Sequence, residues 1–187
     1  MRNLEQELKL QLDEREYNIL QSIAKVSPDL QVNYYFAPKH CNLNVMLRLR
    51  KKGDVFIACY KQRLTHANGV MVSDEKECEI DYGYAQTLIE RGITAREVYN
   101  FFHVQVPEDF YFIGELATHR TKFVLGEWTL ELDKNQYFGI TDYELECENT
   151  QVEALAKLKS YLTYTYGIVI RPSLTKFERF LTAKSKV

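Results

Sequence analysis

The sequence predicts an α+β protein, mostly antiparallel β-sheet with a few helices packed on it. Three observations predict this class. Several segments alternate apolar and charged residues with period two, as half-buried strands do. Others carry apolar residues at helical spacing between residues that cap and stop a helix. The chain has 187 residues, 45% of them hydrophobic and 27% charged, which suits one domain with its own core rather than a disordered chain.

In chain order, residues 4–12 read two ways. Leu4, Leu8 and Leu12 suit a helical stripe, whereas Leu8, Leu10 and Leu12 alternate with Lys9 and Gln11 as a strand would. A helix over 13–26 is capped by Asp13, carries Leu12, Tyr17, Leu20, Ile23 and Ala24, and is stopped by Ser27 and Pro28. Period-two strands are read at 45–50, 55–61 and 75–80. Residues 82–91 form a second helix ending at Gly92, and Thr94 caps a third running to about His103. Further strands follow at 118–125, 127–133 and 142–148. A helix over 150–164 is built on Val152, Leu155, Ala156, Leu158 and Leu162, and a short helix over 174–183 closes the chain. With no repeat and no linker composition, residues 1–187 read as a single domain.

Composition removes several functional classes. The net charge of −2 argues against a generally basic nucleic-acid binder. The longest stretch free of Asp, Glu, Lys and Arg runs over 160–170, too short for the ~20 residues of a membrane span. Residues 1–7 meet acid at once and lack an apolar signal region, so the expectation is a soluble, cytoplasmic protein that binds neither membrane nor nucleic acid. Cys41, Cys59, Cys78 and Cys147 contain no CxxC pair and read as reduced, mostly buried thiols, and His40, His66, His103 and His119 are scattered. There is no GxxxxGK[ST], GxGxxG or GxSxG motif.

The charged residues of the strands fall into rows sorted by sign. Strand geometry puts Glu5, Glu7 and Lys9 on one face, and likewise Arg48 with Arg50, Glu77 with Glu79, Arg120 with Lys122, Glu131 with Asp133, and Glu144 with Glu146. Lys61 joins them from its own strand. Any one row suits a solvated sheet face. Taken together, sorted rows also suit a closed barrel whose charged face lines a wet interior that holds ions, because burying so many charges without partners costs several kcal/mol each. Clustered carboxylates suit Mg²⁺ or Mn²⁺, and clustered Arg and Lys suit phosphate oxygens. Both together suit a metal–polyphosphate complex.

The string Glu5-Gln6-Glu7-Leu8-Lys9 is an ExExK motif. It is followed by the helix from residue 13, the Leu47-Arg48-Leu49-Arg50 strand, a strand ending at Lys61 and the acidic Glu77-Cys78-Glu79. Thr118-His119-Arg120, Glu131-Leu132-Asp133, Glu144-Leu145-Glu146 and the basic Lys176 and Arg179 come after. In this order the chain resembles the CYTH domain of the triphosphate tunnel metalloenzymes, closest to the bacterial, Firmicutes-type members, some labelled adenylate cyclases. The resemblance implies an eight-stranded antiparallel β-barrel, the triphosphate tunnel, with helices packed outside, and it makes residues 4–12 a strand. By it, Glu5, Glu7, Glu77, Glu79, Asp133, Glu144 and Glu146 hold divalent metal, Mg²⁺ or Mn²⁺. Lys9, Arg48, Arg50, Lys61, Arg120, Lys122 and Lys176 grip a triphosphate, and Glu5, Glu7 and Lys9 serve catalysis. Two departures stand out: Glu75 extends the acidic row, and Ala58-Cys59-Tyr60-Lys61 differs from the family's Thr-Leu-Lys ending.

The expected activity is metal-dependent hydrolysis of a triphosphate releasing orthophosphate, with inorganic tripolyphosphate preferred over organic triphosphates, by a monomer or homodimer. Two alternatives are a class IV-type adenylate cyclase and a non-catalytic module binding polyphosphate or a nucleotide. An ordinary charged-faced β domain is the plainest reading. Replacing Glu7 or Glu146 by Gln is expected to weaken metal dependence while leaving the fold intact, through relief of like-charge repulsion.

Overall fold

The structure, a computed structural model, describes residues 6–40, 44–65, 71–149 and 152–187. The elements run β1 (Gln6–Leu12), α1 (Glu14–Ala24), β2 (Asp29–Ala37), β3 (Val45–Lys52), β4 (Val55–Thr65), β5 (Met71–Ile80), α2 (Tyr82–Arg91) and α3 (Ala95–Phe102). They continue with β6 (Tyr111–Leu125), β7 (Trp128–Tyr137), β8 (Ile140–Asn149), α4 (Val152–Tyr166) and α5 (Lys176–Lys184). The strands are neighbours in the order β1-β8-β7-β6-β2-β3-β4-β5. The class is therefore α+β, an eight-stranded antiparallel sheet with five helices. No described helix is long and apolar enough to cross a membrane.

The chain divides into two compact units, Met1–Leu30 with Thr118–Val187, and Gln31–Ala117. In the first, β1 settles the ambiguous segment. It pairs antiparallel with β8, Lys9 opposite Glu146 and Leu10 opposite Leu145. Leu8, Leu10 and Leu12 enter a core with Leu130 and Leu132 of β7, Tyr17 and Leu20 of α1, and Leu155, Leu158 and Leu162 of α4. Burying three leucines on one sheet face outweighs the helix propensity of Glu, Gln and Lys, which spans less than 1 kcal/mol per residue. Asp13 caps α1 in a reciprocal capping box with Glu16. β7 and β8 are joined at Phe138 and Gly139, both at positive φ (47° and 74°), as a two-residue hairpin turn requires.

The second unit has its own core of Leu47, Leu49, Phe56, Ala58 and Tyr60 from β3 and β4, covered by Ala85 and Leu88 of α2 and by Val98 and Phe102 of α3. β2 within it is an element that the alternation analysis does not reveal. Its burial pattern buries Asn33 and Tyr35 on one face and Phe36 on the other, so neither face reads as plainly polar.

Glu97 ties α2 to α3. It closes the Thr94 capping box, accepts from Arg91 Nη1 at 3.0 Å and from the Tyr84 hydroxyl, and the Arg91 guanidinium above all holds its carboxyl down, from 4.5 to about 2, against the upward pull of burial. A carboxyl held below its unfolded value stabilises the fold above that value and loses the effect as pH falls through the folded one. Stability is thus expected to drop between pH 4.5 and 2. Glu97→Gln should start less stable at pH 7 and show a shallower acid slope, read from melting temperatures across that range.

Candidate functional site

Strand alternation puts Glu131 and Asp133 of β7 and Glu144 and Glu146 of β8 on the face opposite the leucine core, and the register sets Glu131 opposite Glu146 and Asp133 opposite Glu144. Asp133 and Glu144 are fully buried and Glu146 nearly so. Three carboxylates, of Asp133, Glu144 and Glu146, each offer an oxygen within 4.8 Å of the others. A hard divalent ion binds oxygens at ~2.0–2.6 Å, so this all-oxygen set fits one Mg²⁺ or Mn²⁺.

Cations interlock with the carboxylates. Lys9 on β1 forms an ion pair with Glu146 at 2.8 Å and lies 3.7 Å from Glu144. Arg120 on β6 presents both edges of its fork: Nε and Nη2 reach Asp133 at 2.8 and 2.6 Å, Nη2 also reaches Glu146 at 2.8 Å, and Nη1 meets Glu131. Lys122, largely exposed, contacts only Glu131 among these acids, at 3.2 Å. Lys176 on α5 donates to Glu144 and Glu146 at 2.6 Å each and forms an ion pair with Asp133 at 2.8 Å.

The other helices of this unit cover the apolar face, whereas α5 meets the charged one. Phe180 stacks near Tyr137 and Phe138, and the α5 N-terminus faces the acids. Arg179, one turn after Lys176, holds Asp142 through Nε at 2.9 Å and Glu144 through Nη2 at 2.5 Å.

The two central glutamates titrate apart. Burial and the neighbouring Glu146 push Glu144 upward, although Lys176 and Lys9 oppose this. Burial also works to raise Glu146, but Lys176, a hydrogen bond from Glu144, Lys9 and Arg120 outweigh it and hold the carboxyl well below the carboxylate range. For Lys176, burial would lower the ammonium, and Asp133, Glu146 and Glu144 together raise it above its ordinary value.

The second unit carries its own charged face. Leu47 and Leu49 point to the core, leaving Arg48 and Arg50 on the other side, and the β4–β5 register sets Cys59 opposite Glu77 and Lys61 opposite Glu75. Arg48 lies 3.6 Å from Glu75 and hydrogen-bonds Tyr35, and its buried Nε has no hydrogen-bond partner among the described residues. Arg50 donates to Asn33 at 3.1 Å. Lys61 donates to Glu75 at 3.0 Å, and the Cys59 thiol donates to the same carboxylate at 3.1 Å. Burial pushes that thiol up to about 12. Cys59, Glu75 and Glu77 also form a group with ligand atoms within 4.8 Å of one another. Glu79 is exposed and joins no such group among the described residues.

The structure thus brings together Lys9, Arg120, Asp133, Glu144, Glu146 and Lys176 in one unit, and Arg48 and Lys61 around Glu75 in the other. Glu5 and the side chain of Glu7 lie outside the described residues. Sequence reasoning left Glu131, Asp142 and Glu75 out of the ligand set. Their signal was present as extra members of the acidic rows, and what it lacked was the partner: Arg120 for Glu131, Arg179 for Asp142, Lys61 for Glu75.

Comparisons with known proteins identify similar chains. A candidate adenylate cyclase of Bacillus halodurans is 25% identical, with 93% of this chain and 95% of that one covered and a TM-score of 0.73. A candidate adenylyl cyclase from Hippeastrum, described as having a dominant triphosphatase activity, is 26% identical, with 96% of each chain covered and a TM-score of 0.75. The PH1819 protein of Pyrococcus horikoshii, at 14% identity, with 95% and 98% covered and a TM-score of 0.62, shares the fold. Curated protein sequences give no match. The CYTH domain pattern matches residues 3–181, nearly the whole length, so the chain belongs to the CYTH domain family.

Proposed function

We propose that this protein is a metal-dependent triphosphatase, hydrolysing inorganic tripolyphosphate in preference to organic triphosphates and releasing orthophosphate in the cytoplasm. The observation that carries this reading is the buried trio Asp133, Glu144 and Glu146, with carboxylate oxygens within 4.8 Å of one another and cations at hydrogen-bond distance on several sides. Hard oxygens beside Arg and Lys are the donor set that a metal–polyphosphate complex requires. The trio would hold Mg²⁺ or Mn²⁺, with Glu5, Glu7, Glu77 and Glu79 assigned to metal by family resemblance. When bound, the ion supplies neutralisation of phosphate charge and a more acidic water.

The protein's own side chains supply positioning and charge. Lys9 and Arg120 stand beside the trio and bind phosphoryl oxygens, Arg120 as a fork and Lys9 as a point charge. By the family resemblance Arg48, Arg50 and Lys61 are also phosphate-binding, and the buried Nε of Arg48, without a hydrogen-bond partner among the described residues, is a donor suited to an anionic oxygen. Lys122 and Lys176 complete the cation set. Phosphoryl transfer depends on positioning and electrostatics, so no Ser, Cys or His nucleophile is required. The buried Cys59 thiol, protonated at neutral pH, suits that reading.

The triphosphatase activity described for the Hippeastrum protein favours hydrolysis over cyclisation. The names of both neighbours keep cyclase chemistry as the second reading. The test is phosphate release from tripolyphosphate, ATP and thiamine triphosphate with Mg²⁺ or Mn²⁺, with and without chelator. Chelator-sensitive release, fastest on tripolyphosphate, is expected. Cyclic AMP and pyrophosphate from ATP would establish the cyclase instead, and tight binding with no turnover would make the chain a binding module.

A further inference from the structure

We propose that Lys176 is a built-in occupant of the metal position: its ammonium holds the Asp133–Glu144–Glu146 trio until a divalent ion displaces it, so that metal loading unlatches α5. This rests on the reading of the trio as the metal site. The ammonium stands against three separate carboxylates, donating to Glu144 and Glu146 at 2.6 Å each and paired with Asp133 at 2.8 Å. The oxygens it uses come from the same three residues whose spacing suits one divalent ion. Inner-sphere coordination needs those oxygens, and a divalent ion seated among them would stand close to the ammonium, so repulsion between the two disfavours joint occupancy.

Local sequence supports the assignment. Lys176 is the first residue of α5, after the Thr175 cap. A cation there opposes the positive end of the helix dipole, so helix stability does not explain a lysine at this position, whereas three buried carboxylates do. Arg179 does not duplicate the role. It holds Oε2 of Glu144, whereas Lys176 takes Oε1, and its other contact is Asp142, outside the trio.

The chain before α5 is pinned independently. Gln11 N–H donates to the Arg171 carbonyl at 2.8 Å, Leu10 and Pro172 form a bridge, and Glu16 holds Val169 N–H at 2.8 Å and the Arg171 guanidinium. Releasing Lys176 therefore frees the start of a helix whose approach stays anchored. The ammonium remains near the site and becomes available to a phosphate oxygen.

Linkage requires reciprocity: whatever factor the lysine takes from metal affinity, the metal takes from the latch. The test uses the full chain and Mn²⁺ alone, with binding followed by electron paramagnetic resonance and α5 followed by hydrogen exchange. Lys176→Met is expected to bind Mn²⁺ about 5- to 150-fold tighter than wild type, the usual span of coupled sites. In wild type, Mn²⁺ should speed exchange at the start of α5. This second readout needs no variant and also separates displacement from simple loss of a nearby charge. Equal or weaker binding by Lys176→Met, or α5 exchange unchanged or slowed by Mn²⁺, would overturn the proposal. Glu144→Gln separates the two levels: if it binds Mn²⁺ as wild type does, the metal site itself is misassigned. If it loses binding while Lys176→Met gains none, only the latch fails.

Discussion

Replacing Glu146 by Gln is expected to abolish most metal-dependent turnover and, in the metal-free protein, to cost stability as well. Loss of an outer partner of a metal ligand already costs roughly 10–100-fold in affinity or activity, so removal of a ligand carboxylate should exceed that range. The stability effect corrects the expectation drawn from repulsion alone. Glu146 is not an unneutralised acid among acids, because it is ion-paired with Lys176, Lys9 and Arg120 at 2.6, 2.8 and 2.8 Å. Breaking a buried ion pair costs ~3–5 kcal/mol when the partner is left alone. Here each cation keeps at least one other carboxylate, so ~1–3 kcal/mol is expected. For a chain of this size that corresponds to ~2–12 °C in melting temperature. Phosphate release against Mn²⁺ concentration, with melting curves in chelator, measures both. Full turnover in the variant would remove Glu146 from the ligand set.

Arg120→Ala is expected to have the second large effect, in both kinetics and stability. Its guanidinium joins Glu131, Asp133 and Glu146, and Asp133 is fully buried. Losing the fork leaves Asp133 with Lys176 as its remaining close cation. A stability loss near ~3 kcal/mol follows from the cost of stranding a buried charge. If Arg120 also binds phosphoryl oxygens, which are charged in ground and transition states alike, KM should rise and kcat/KM should fall by two orders of magnitude or so, the scale of losing one electrostatic contact. Arg120→Lys separates charge from geometry. Lysine restores the cation but cannot span two acids with parallel N–H bonds, so it should recover part of the stability and little of kcat/KM. A full kinetic rescue by lysine would show that only the charge matters.

The helices were legible because their signals are local. Asp13 and Thr94 cap α1 and α3 where the sequence places them, and Gly92 ends α2 as expected, at a positive φ of 92°. The charged rows at Glu75, Glu77 and Glu79 and at Glu144 and Glu146 were legible for a similar reason: alternation is a property of the strand itself. β2 escaped because alternation reveals a strand only where its faces differ in polarity, and Asn33 and Tyr35 are buried as deeply as Phe36. β6 begins at Tyr111, well before the charged part that announced it, because Tyr111, Phe112 and Ile113 alternate between no polar and apolar face.

By itself, then, the sequence determined the class, the capped helices and the sorting of charge into rows. These follow from backbone periodicity and from side chains acting within a few residues. Local pattern left residues 6–12 open until the family resemblance chose the strand, and the tertiary structure supplies the physical reason, since β8 and the leucine core choose between two conformers that local propensity leaves nearly equal. The tertiary structure alone decided which acid meets which cation: Lys176 stands 30 residues from Glu146 and 43 from Asp133 in the chain, yet its ammonium sits among both carboxylates. Burial removes the water that would otherwise solvate those charges, so each must find its partner in space, and no local pattern records which one it finds.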